Sequence, residues 1–319
     1  MPFSRTITAV PSPFSSGELQ ATIREGDTRS MTMPSRQLIA RVERLMGARP
    51  IAWRPVQGGY TPAGRWIVRF NNGAFAFAKV DTTADTASWL RAEYRFYSQV
   101  VADYLPALLG WEDDDQPLLL LEDLSAAFWP PPWSQERVEQ VLATLAAIAA
   151  TPPPPGFPTL ASQRGWLMSW VDVANDPTPF LSLGLCSSAW LEAALPSLLA
   201  AEAAAILEGD SLMHLDVRSD NICFVGERAV LVDWNHACRG NPRVDIAGWL
   251  PSLAAEGGPD PMSILPDEPE LAALMSGYFA ARAGLPPPAG APRVRGVQLS
   301  QLKRALPWAA ASLGLPPPA

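Results

Sequence analysis

Two short stretches of the chain gather the residue types that carry out chemistry. HLDVRSDN begins at His214, and LVDWNHA, which begins ten residues after Asn221, contains His236, the only other histidine of the 319 residues. Asp216, Asn221 and Asp233 lie between the two histidines. The two aspartate carboxylates can accept a proton, and the side-chain oxygens of all three residues can bind a divalent cation. The combination therefore suits proton transfer, metal chemistry or both.

Phosphoryl transfer needs these groups in a particular spacing. An aspartate accepts the hydroxyl proton, an amide and a second carboxylate hold magnesium, and a cation contacts the nucleotide phosphates. Kinases place the groups as H-x-D-x-x-x-x-N, followed by a short hairpin that ends in another aspartate. His214, Asp216 and Asn221 have this spacing, and Asp233 closes the strand VLVDW. The pattern predicts Asp216 as the catalytic base, with Asn221 and Asp233 as magnesium ligands.

Two other interpretations of the same residues stay open at this point. His214, Asp216 and His236 have the residue types of the two-histidine, one-carboxylate site of non-haem iron oxygenases. Such ligands converge from a barrel-like β scaffold, whereas the flanking sequence here is helical. Alternatively, the histidines are buried structural residues and the aspartates serve as caps and turn residues. His236 is either incidental or faces the acceptor.

The remaining parts of a nucleotide site occur earlier in the chain, in the expected order. Only two of the 24 basic residues, Lys79 and Lys303, are lysines. A lysine in FAKV supplies phosphates with a compact point charge, where the arginine fork would bind differently. Glu93 lies on the inward edge of the next predicted helix, where it can pair with Lys79. A glycine turn, able to present backbone N–H groups to phosphate, contains Gly58, Gly59, Tyr60 and Thr61.

Helix and strand patterns predict what supports Lys79. PSRQLIARVERLMG is typical of a helix capped by Ser35 and ended by Gly47. IAWRPV, RWIVRF and AFAFAKV alternate as strands do, and Asn72-Gly73 predicts a hairpin turn between the second and third. A further helix, TASWLRAEYRFYSQVV, and two short apolar segments, PALLGW and PLLLLEDL, follow.

The composition changes after Leu124. FWPPPW is a connector, and two long helices follow, SQERVEQVLATLAAIAA and SSAWLEAALPSLLAAEAAAILEG, the second broken or kinked at Pro196. β character returns only in NICFVGERAVLVDW, as two short strands about a turn at Gly226. We therefore expect an α+β fold: a mobile leader over residues 1–33, a small β-rich N-terminal lobe over 34–124 with a hinge at 122–125, and a larger helical C-terminal lobe over 126–319.

These motifs resemble the aminoglycoside phosphotransferase family, which includes choline-kinase-like and other small-molecule kinases with a protein-kinase-like fold. The resemblance runs from about residue 34 to about 285, and HLDVRSDN and LVDWNHACRGNPRVDIAGWL are its most specific parts. It implies a two-lobed phosphotransferase that uses ATP, with GTP not excluded, together with Mg²⁺. No activation loop or Ala-Pro-Glu motif follows Asp233-Trp234, which favours a small-molecule acceptor over a protein.

The resemblance also implies roles for residues that spacing alone does not assign. The segment LLLLEDL is similar to the hinge of the family, where backbone groups of Glu122, Asp123 and Leu124 would meet adenine. His214 would brace the backbone of the catalytic loop, and Asp245, in RVDIAGWL, would steady that loop through hydrogen bonds.

Some positions depart from the pattern of the family. The glycine turn lacks a full G-x-G-x-x-G, Asp220 stands where a small residue is common, and Asn235 replaces the glycine of protein kinases. We assign neither Asp220 nor Asn235 a catalytic role. Arg218 has two alternative roles: it contacts phosphate or substrate, or it anchors the loop.

Composition narrows the partners. A net charge of −8 argues against nucleic acid, for which a basic patch is expected, and it suits a cationic acceptor. No apolar run reaches the roughly 18 residues of a membrane helix. Three cysteines without a CxxC pattern predict neither disulfides nor a thiolate zinc site, which fits a reducing cytoplasm.

The acceptor itself stays open. The helical lobe offers tryptophans and acidic residues that suit an aminoglycoside, and antibiotic resistance with it, or another amine. A neutral sugar, a nucleoside or a macrolide is a further alternative. The rival class is a nucleotide-binding pseudokinase or interaction module. The residues considered for acceptor binding are Trp129, Trp133, Trp166, Trp170, Asp267, Glu268 and Glu270.

Overall fold

A computed structural model describes residues 34–56, 63–81, 83–288 and 291–318 of the chain. A β-rich part comes first and a mainly helical part follows. The strands are β1 Pro50–Pro55, β2 Gly64–Phe70, β3 Phe75–Val80, β4 Leu108–Glu112, β5 Leu118–Leu121, β6 Ser211–Met213, β7 Ile222–Val225, β8 Arg228–Leu231 and β9 Cys238–Gly240. The helices are α1 Arg36–Met46, α2 Ala84–Tyr97, α3 Gln135–Ala150, α4 Arg164–Leu167, α5 Trp170–Asn175, α6 Thr178–Leu181, α7 Ser188–Ala204, α8 Arg243–Ala255, α9 Pro261–Ile264, α10 Pro269–Ala283 and α11 Val294–Ser312.

The N-terminal sheet has five antiparallel strands in the order β1-β2-β3-β5-β4. The hairpin between β2 and β3 turns at Asn72-Gly73, as the sequence predicts. The Ala74 N–H donates to Asn72 Oδ1 at 3.0 Å, and Gly73 has a φ of 87°, a conformation that costs glycine little. This turn sets the register that places Arg65 opposite Lys79.

Side-chain alternation gives the sheet two different faces. One face is apolar and packs under α1, where Leu38 and Val42 lie against Val68 and Ala78. Successive strand residues point to opposite sides of a sheet. The other face therefore carries Lys79 together with the residues two positions away from it along β3. Phe77 on that face pairs across to Ile67 and to Leu121. The second face therefore carries both a charge and apolar surface.

Helix α2 connects the sheet to the helical part. Thr83 caps its N-terminus by accepting the N–H of Thr86, so the helix begins directly after β3. At the other end, the ring of Phe96 stacks on Trp234, with centroids 4.1 Å apart and planes 3° from parallel. The helix thereby reaches from the strand that carries Lys79 to the turn that follows β8.

The helical part is built around α10. Eleven of the fifteen residues of this helix are buried. It packs against α7 and α11, and Tyr278 and Phe279 are fully enclosed. Two small antiparallel pairs, β6-β9 and β7-β8, lie in the same part of the chain, and the β7-β8 turn falls at Gly226, with a φ of 62°. These pairs hold the segments on either side of the catalytic motif.

Three details differ from the sequence-based expectations. Helix α7 runs unbroken through Pro196 and ends at Ala204, short of the predicted end. The pair β6-β9 was not predicted, because three residues are too few to show an alternating pattern. The three cysteines, for which no disulfide was predicted, are free thiols.

Some predictions cannot be compared with described coordinates. Residues 1–33 and the glycine turn at residues 57–62 lie outside the described residues, so the leader and the domain limits remain predictions. Within the described part of the chain, no helix has both the length and the apolar character to cross a membrane.

A buried carboxylate, Glu202, organises the start of α5. Its Oε1 accepts the N–H groups of Ser169 at 2.8 Å and Trp170 at 3.2 Å, and the residue is 2% exposed. Burial raises the pKa of Glu202 to about 7, although the two N–H donors oppose that rise. A carboxyl group whose pKa is higher in the folded chain than in the unfolded chain stabilises the fold below its unfolded pKa, and that contribution is lost as pH rises through the folded value.

We therefore expect the free energy of unfolding to fall as the pH is raised from about 5 to about 8, with roughly 2–3 kcal/mol of the fall due to Glu202. Glu202→Gln should remove that part, because the amide keeps an oxygen acceptor and does not titrate. Denaturant unfolding at several pH values measures it. Glu192→Gln, an exposed position on the same helix, is the matched control. Equal pH dependence in Glu202→Gln and wild type would contradict the assignment.

Candidate active site

The catalytic motif lies in a loop that leaves β6 and is fixed by Asp245 on α8. Its carboxylate accepts the backbone N–H of His214 at 2.8 Å and of Leu215 at 2.7 Å. Leu215 has a φ of 64°, which is costly for a branched side chain and persists only where the surroundings enforce it. Because Asp245 binds both N–H groups around this residue, it stabilises the strained loop.

The ring of His214 is fully buried and uses both nitrogens. Nδ1 accepts the N–H of Asp216 at 3.2 Å, so Nε2 carries the hydrogen and donates to the carbonyl of Val232 at 2.9 Å. Burial lowers the pKa of His214 to about 4, in keeping with a neutral ring. Neither nitrogen is available to a metal, and no group of three or more metal-binding His, Cys, Asp or Glu residues occurs in the described ranges. The iron-site interpretation therefore does not fit these contacts.

Asp216 and Asn221 meet at the centre of the loop. The Nδ2 group of Asn221 donates to the carbonyl of Asp216 and to its Oδ2, both at 2.9 Å. These two acceptors fix the amide orientation, since only its nitrogen can donate. Burial raises the pKa of Asp216 well above its ordinary value, and the nearby Arg218 guanidinium opposes that rise. Asp216 is thus held in place by the Asn221 amide.

Lys79 is enclosed between two carboxylates from different parts of the fold. Its Nζ lies 2.7 Å from Glu93 Oε2 on α2 and 2.9 Å from Asp233 Oδ1 after β8. Burial alone would lower the pKa of the ammonium, but Asp233 and Glu93 outweigh it and hold the pKa above its ordinary value. Burial likewise disfavours the charge on Asp233, and Lys79 reverses this and keeps the pKa of Asp233 low. All three predicted residues are therefore brought together.

The turn after β8 aims Asp233 at this cation. Asp233 has a φ of 68°, a left-handed conformation that aspartate tolerates better than most residues. Trp234 follows, fully buried, and its Nε1 donates to the Leu231 carbonyl at 2.9 Å. The Trp234 ring also contacts His214 edge-on, at 4.5 Å between centroids. The tryptophan thus links the catalytic loop, the Asp233 turn and α2.

The predicted hinge joins the sheet to the helical part. Glu122 and Leu124 already use some of their backbone groups: the Glu122 N–H donates to Ala107, and the Leu124 carbonyl accepts from Ala127 and from the Trp129 indole. The Leu124 N–H has no hydrogen-bond partner among the described residues. A cavity of about 240 Å³ opens between the hinge and the N-terminal sheet. It is lined by Ala52, Trp53, Arg54, Ile67, Arg69, Phe75, Asp123 and Ser125.

Two neighbours of the site, Phe77 and Glu256, were missed from the sequence. Phe77 lies two residues before Lys79 and on the same face of β3, which strand alternation alone could have indicated. Glu256, at the end of α8, accepts the hydroxyl of Ser219 at 2.6 Å and the indole N–H of Trp133 at 2.8 Å. No sequence signal places Glu256 there, because the contact depends on how α8 packs. His236, whose role the sequence left open, is partly buried, and burial lowers its pKa to about 4.

The family is now identifiable. A sequence model described as the phosphotransferase enzyme family matches residues 53–296, which is more than half of the chain, and the chain belongs to that family. The resemblance inferred from the motifs is therefore confirmed. Comparison with curated protein sequences gives no match.

Solved structures support the fold assignment. A spectinomycin phosphotransferase in complex with ADP and spectinomycin has a TM-score of 0.62 at 12% identity, over 88% of this chain and 98% of that chain. A choline/ethanolamine kinase family protein from Mesorhizobium loti has a TM-score of 0.54 at 14% identity, over 86% of this chain and 97% of that one. At these identities the likeness shows the fold, and the predicted α+β kinase-like class is confirmed.

Lys79→Arg tests the cation site. The guanidinium keeps the charge but is wider and forks, so it should lose one of the two carboxylate contacts and lower phosphoryl-transfer turnover by about 10-fold or more. Lys79→Ala should be at least as harmful. Binding of adenosine, measured by calorimetry, should change little in either variant, since adenine is expected at the hinge.

Lys303→Arg, at an exposed position of α11, is the matched control and should behave as wild type. Wild-type turnover in Lys79→Arg would show that Lys79 does not contact the nucleotide phosphates.

Proposed function

We propose that this chain is an ATP-dependent small-molecule kinase that moves the γ-phosphoryl group of ATP to a hydroxyl of its acceptor. The observation that carries the proposal is the meeting of Lys79 with Asp233 at 2.9 Å, beside the loop in which Asn221 bonds to Asp216. Membership of the phosphotransferase enzyme family supports the same reaction class. GTP is the alternative donor.

Asp216 is the general base in this proposal. As the acceptor oxygen bonds to the γ-phosphorus, the bond from that phosphorus to the β–γ bridging oxygen breaks and ADP leaves. The acceptor proton passes to the Asp216 carboxylate. His214 and Asp245 act on the backbone of the loop, and their hydrogen bonds keep Asp216 in position for this transfer.

The nucleotide would lie along the face of the sheet that carries Lys79 and Phe77. Lys79, held by Glu93, meets the phosphates, and residues 58–61, which lie outside the described residues, are predicted from the sequence to add backbone N–H groups. The Leu124 N–H, together with Glu122 and Asp123, receives adenine at the hinge. Phe77 lies between hinge and lysine on the same face, where its ring supplies a flat apolar surface for the base.

The donor set fits magnesium. Asn221 is anchored through Nδ2, which leaves its Oδ1 for a cation, and Asp233 adds a carboxylate that is 36% exposed. One amide and one carboxylate are what magnesium takes from proteins when phosphates and water complete its shell. Bound there, the ion would neutralise charge on the phosphates. In this structure the cation that contacts Asp233 is the Lys79 ammonium.

The acceptor is a hydroxylated small molecule. The spectinomycin phosphotransferase that shares the fold was crystallised with ADP and spectinomycin, and the net charge of −8 favours a cationic acceptor over an anionic one. Resistance to an antibiotic of that kind is the corresponding cellular role. ADP release from Mg²⁺-ATP with spectinomycin, kanamycin, erythromycin, choline, ethanolamine and simple nucleosides tests the proposal. Nucleotide binding without transfer to any acceptor would instead indicate a pseudokinase.

Asp216→Asn should lower turnover by about 100-fold or more, because general-base assistance supplies roughly that factor. Folding and ADP affinity should stay near wild type, since asparagine keeps the shape and an oxygen that accepts from Asn221. Steady-state kinetics with the best acceptor of the panel measures the loss. Turnover within a few-fold of wild type would remove Asp216 from this role.

Divalent cation binding should depend on nucleotide. Two protein ligands are too few to hold magnesium tightly alone, so Mn²⁺, followed by electron paramagnetic resonance as a substitute, should bind much more tightly when ADP is present. Asp233→Asn should weaken that binding, and Asp210→Asn, at an exposed position, should not. Equally tight Mn²⁺ binding with and without ADP would contradict the assigned ligands.

A further inference from the structure

Arg218 is a buried cation within the catalytic loop, two residues after Asp216. Its side chain is only 4% exposed, although an isolated guanidinium is costly to remove from water. Burial of this kind requires carboxylates close by. The loop supplies two of them from its own sequence, on either side of the arginine.

The guanidinium spans both carboxylates. Its Nε lies 3.2 Å from Asp216 Oδ1, and its Nη2 lies 2.8 Å from Asp220 Oδ2. The first contact is an ion pair by distance without the alignment of a hydrogen bond, whereas the second is an aligned hydrogen bond. Arginine suits this arrangement because its donors are fixed in one plane, which a lysine ammonium cannot reproduce.

The two oxygens of Asp216 therefore have different neighbours. Oδ2 is bound by the Asn221 amide at 2.9 Å, and Oδ1 faces Arg218. A carboxylate held at both ends cannot rotate freely. Catalysis by a base depends on such orientation, and a displacement of about 1 Å can cost about 100-fold in rate.

Asp220 acts on this arrangement through Arg218. One of its oxygens is bound to the guanidinium, and the other, Oδ1, is buried and has no hydrogen-bond partner among the described residues. Besides a hydrogen bond from its own backbone N–H, Asp220 has Arg218 as its neighbouring cation. Its contact to the guanidinium leads on to the Asp216 carboxylate.

We propose that Arg218 and Asp220 are positioning residues for the transfer reaction: Asp220 fixes the Arg218 guanidinium, and the guanidinium fixes the Asp216 carboxylate in the orientation that receives the acceptor proton. The inference rests on the proposed kinase function and adds two residues to it. Neither residue needs to touch the nucleotide, so their effect belongs to turnover and not to ATP binding.

A double-mutant cycle tests this chain of contacts. Arg218→Gln should lower kcat by about 100-fold and Asp220→Asn by about 10-fold, with KM for ATP and ADP affinity within about two-fold of wild type. Because Asp220 acts only through Arg218, the double variant should lie within about two-fold of Arg218→Gln alone. Arg218→Lys should recover part of the loss, since it restores charge without the fork.

The assay is ADP release from Mg²⁺-ATP, with the fastest acceptor of the panel above and with water alone. Melting temperatures show whether each variant is folded. Arg239→Gln and Asp210→Asn, which alter an exposed arginine–aspartate pair, are the matched controls and should retain wild-type kinetics.

Additive losses in the double variant would overturn the inference, and so would a raised KM for ATP with unchanged kcat, which would make Arg218 a phosphate contact. Full recovery in Arg218→Lys would show that charge alone suffices and would also overturn it. Absence of transfer by the wild-type chain would overturn the proposed function itself, whereas transfer by wild type with additive losses would overturn this inference alone.

Discussion

The buried ammonium of Lys79 is the interaction on which the rest of the site depends. It joins a strand of the N-terminal sheet, helix α2 and the turn after β8 through contacts of 2.7 and 2.9 Å. Removing one partner of a buried pair typically costs about 3–5 kcal/mol, because the other charge is left uncompensated. Glu93, 2% exposed, has that dependence on Lys79. Asp233 is more exposed, so losing its contact with Lys79 and binding another cation instead costs less free energy.

Aromatic packing gives this ion triad its fixed frame. Phe96, three residues beyond Glu93, stacks on Trp234, the residue after Asp233. His214 contacts the same tryptophan and bonds to Val232. The helix that carries Glu93, the turn that carries Asp233 and the loop that carries Asp216 therefore meet at one buried ring. A displacement of any one of these three segments must shift the other two, because packed interiors leave little free volume.

The sequence indicated the parts of the site whose spacing is local. The eight residues from His214 to Asn221, the hairpin at Asn72-Gly73 and the lysine of FAKV have patterns that follow from short-range geometry. Glu256 and the Arg218–Asp220 contact could not be predicted, since they depend on the packing of α8 and on side-chain directions in an irregular loop. Of the two alternatives predicted for Pro196, a break in α7 is wrong, because tertiary burial can outweigh the local cost of proline.

We propose that this site transfers a phosphoryl group from ATP to a hydroxyl and does not merely bind nucleotide. Phosphorus NMR of Mg²⁺-ATP, incubated with the wild-type chain and a pool of the hydroxylated amines, macrolides and nucleosides named above, tests it most directly. We expect loss of the γ-phosphate signal and the appearance of a phosphomonoester signal, both about 100-fold slower or more with Asp216→Asn. Persistent ATP, or conversion to ADP and inorganic phosphate without any phosphomonoester, would contradict it.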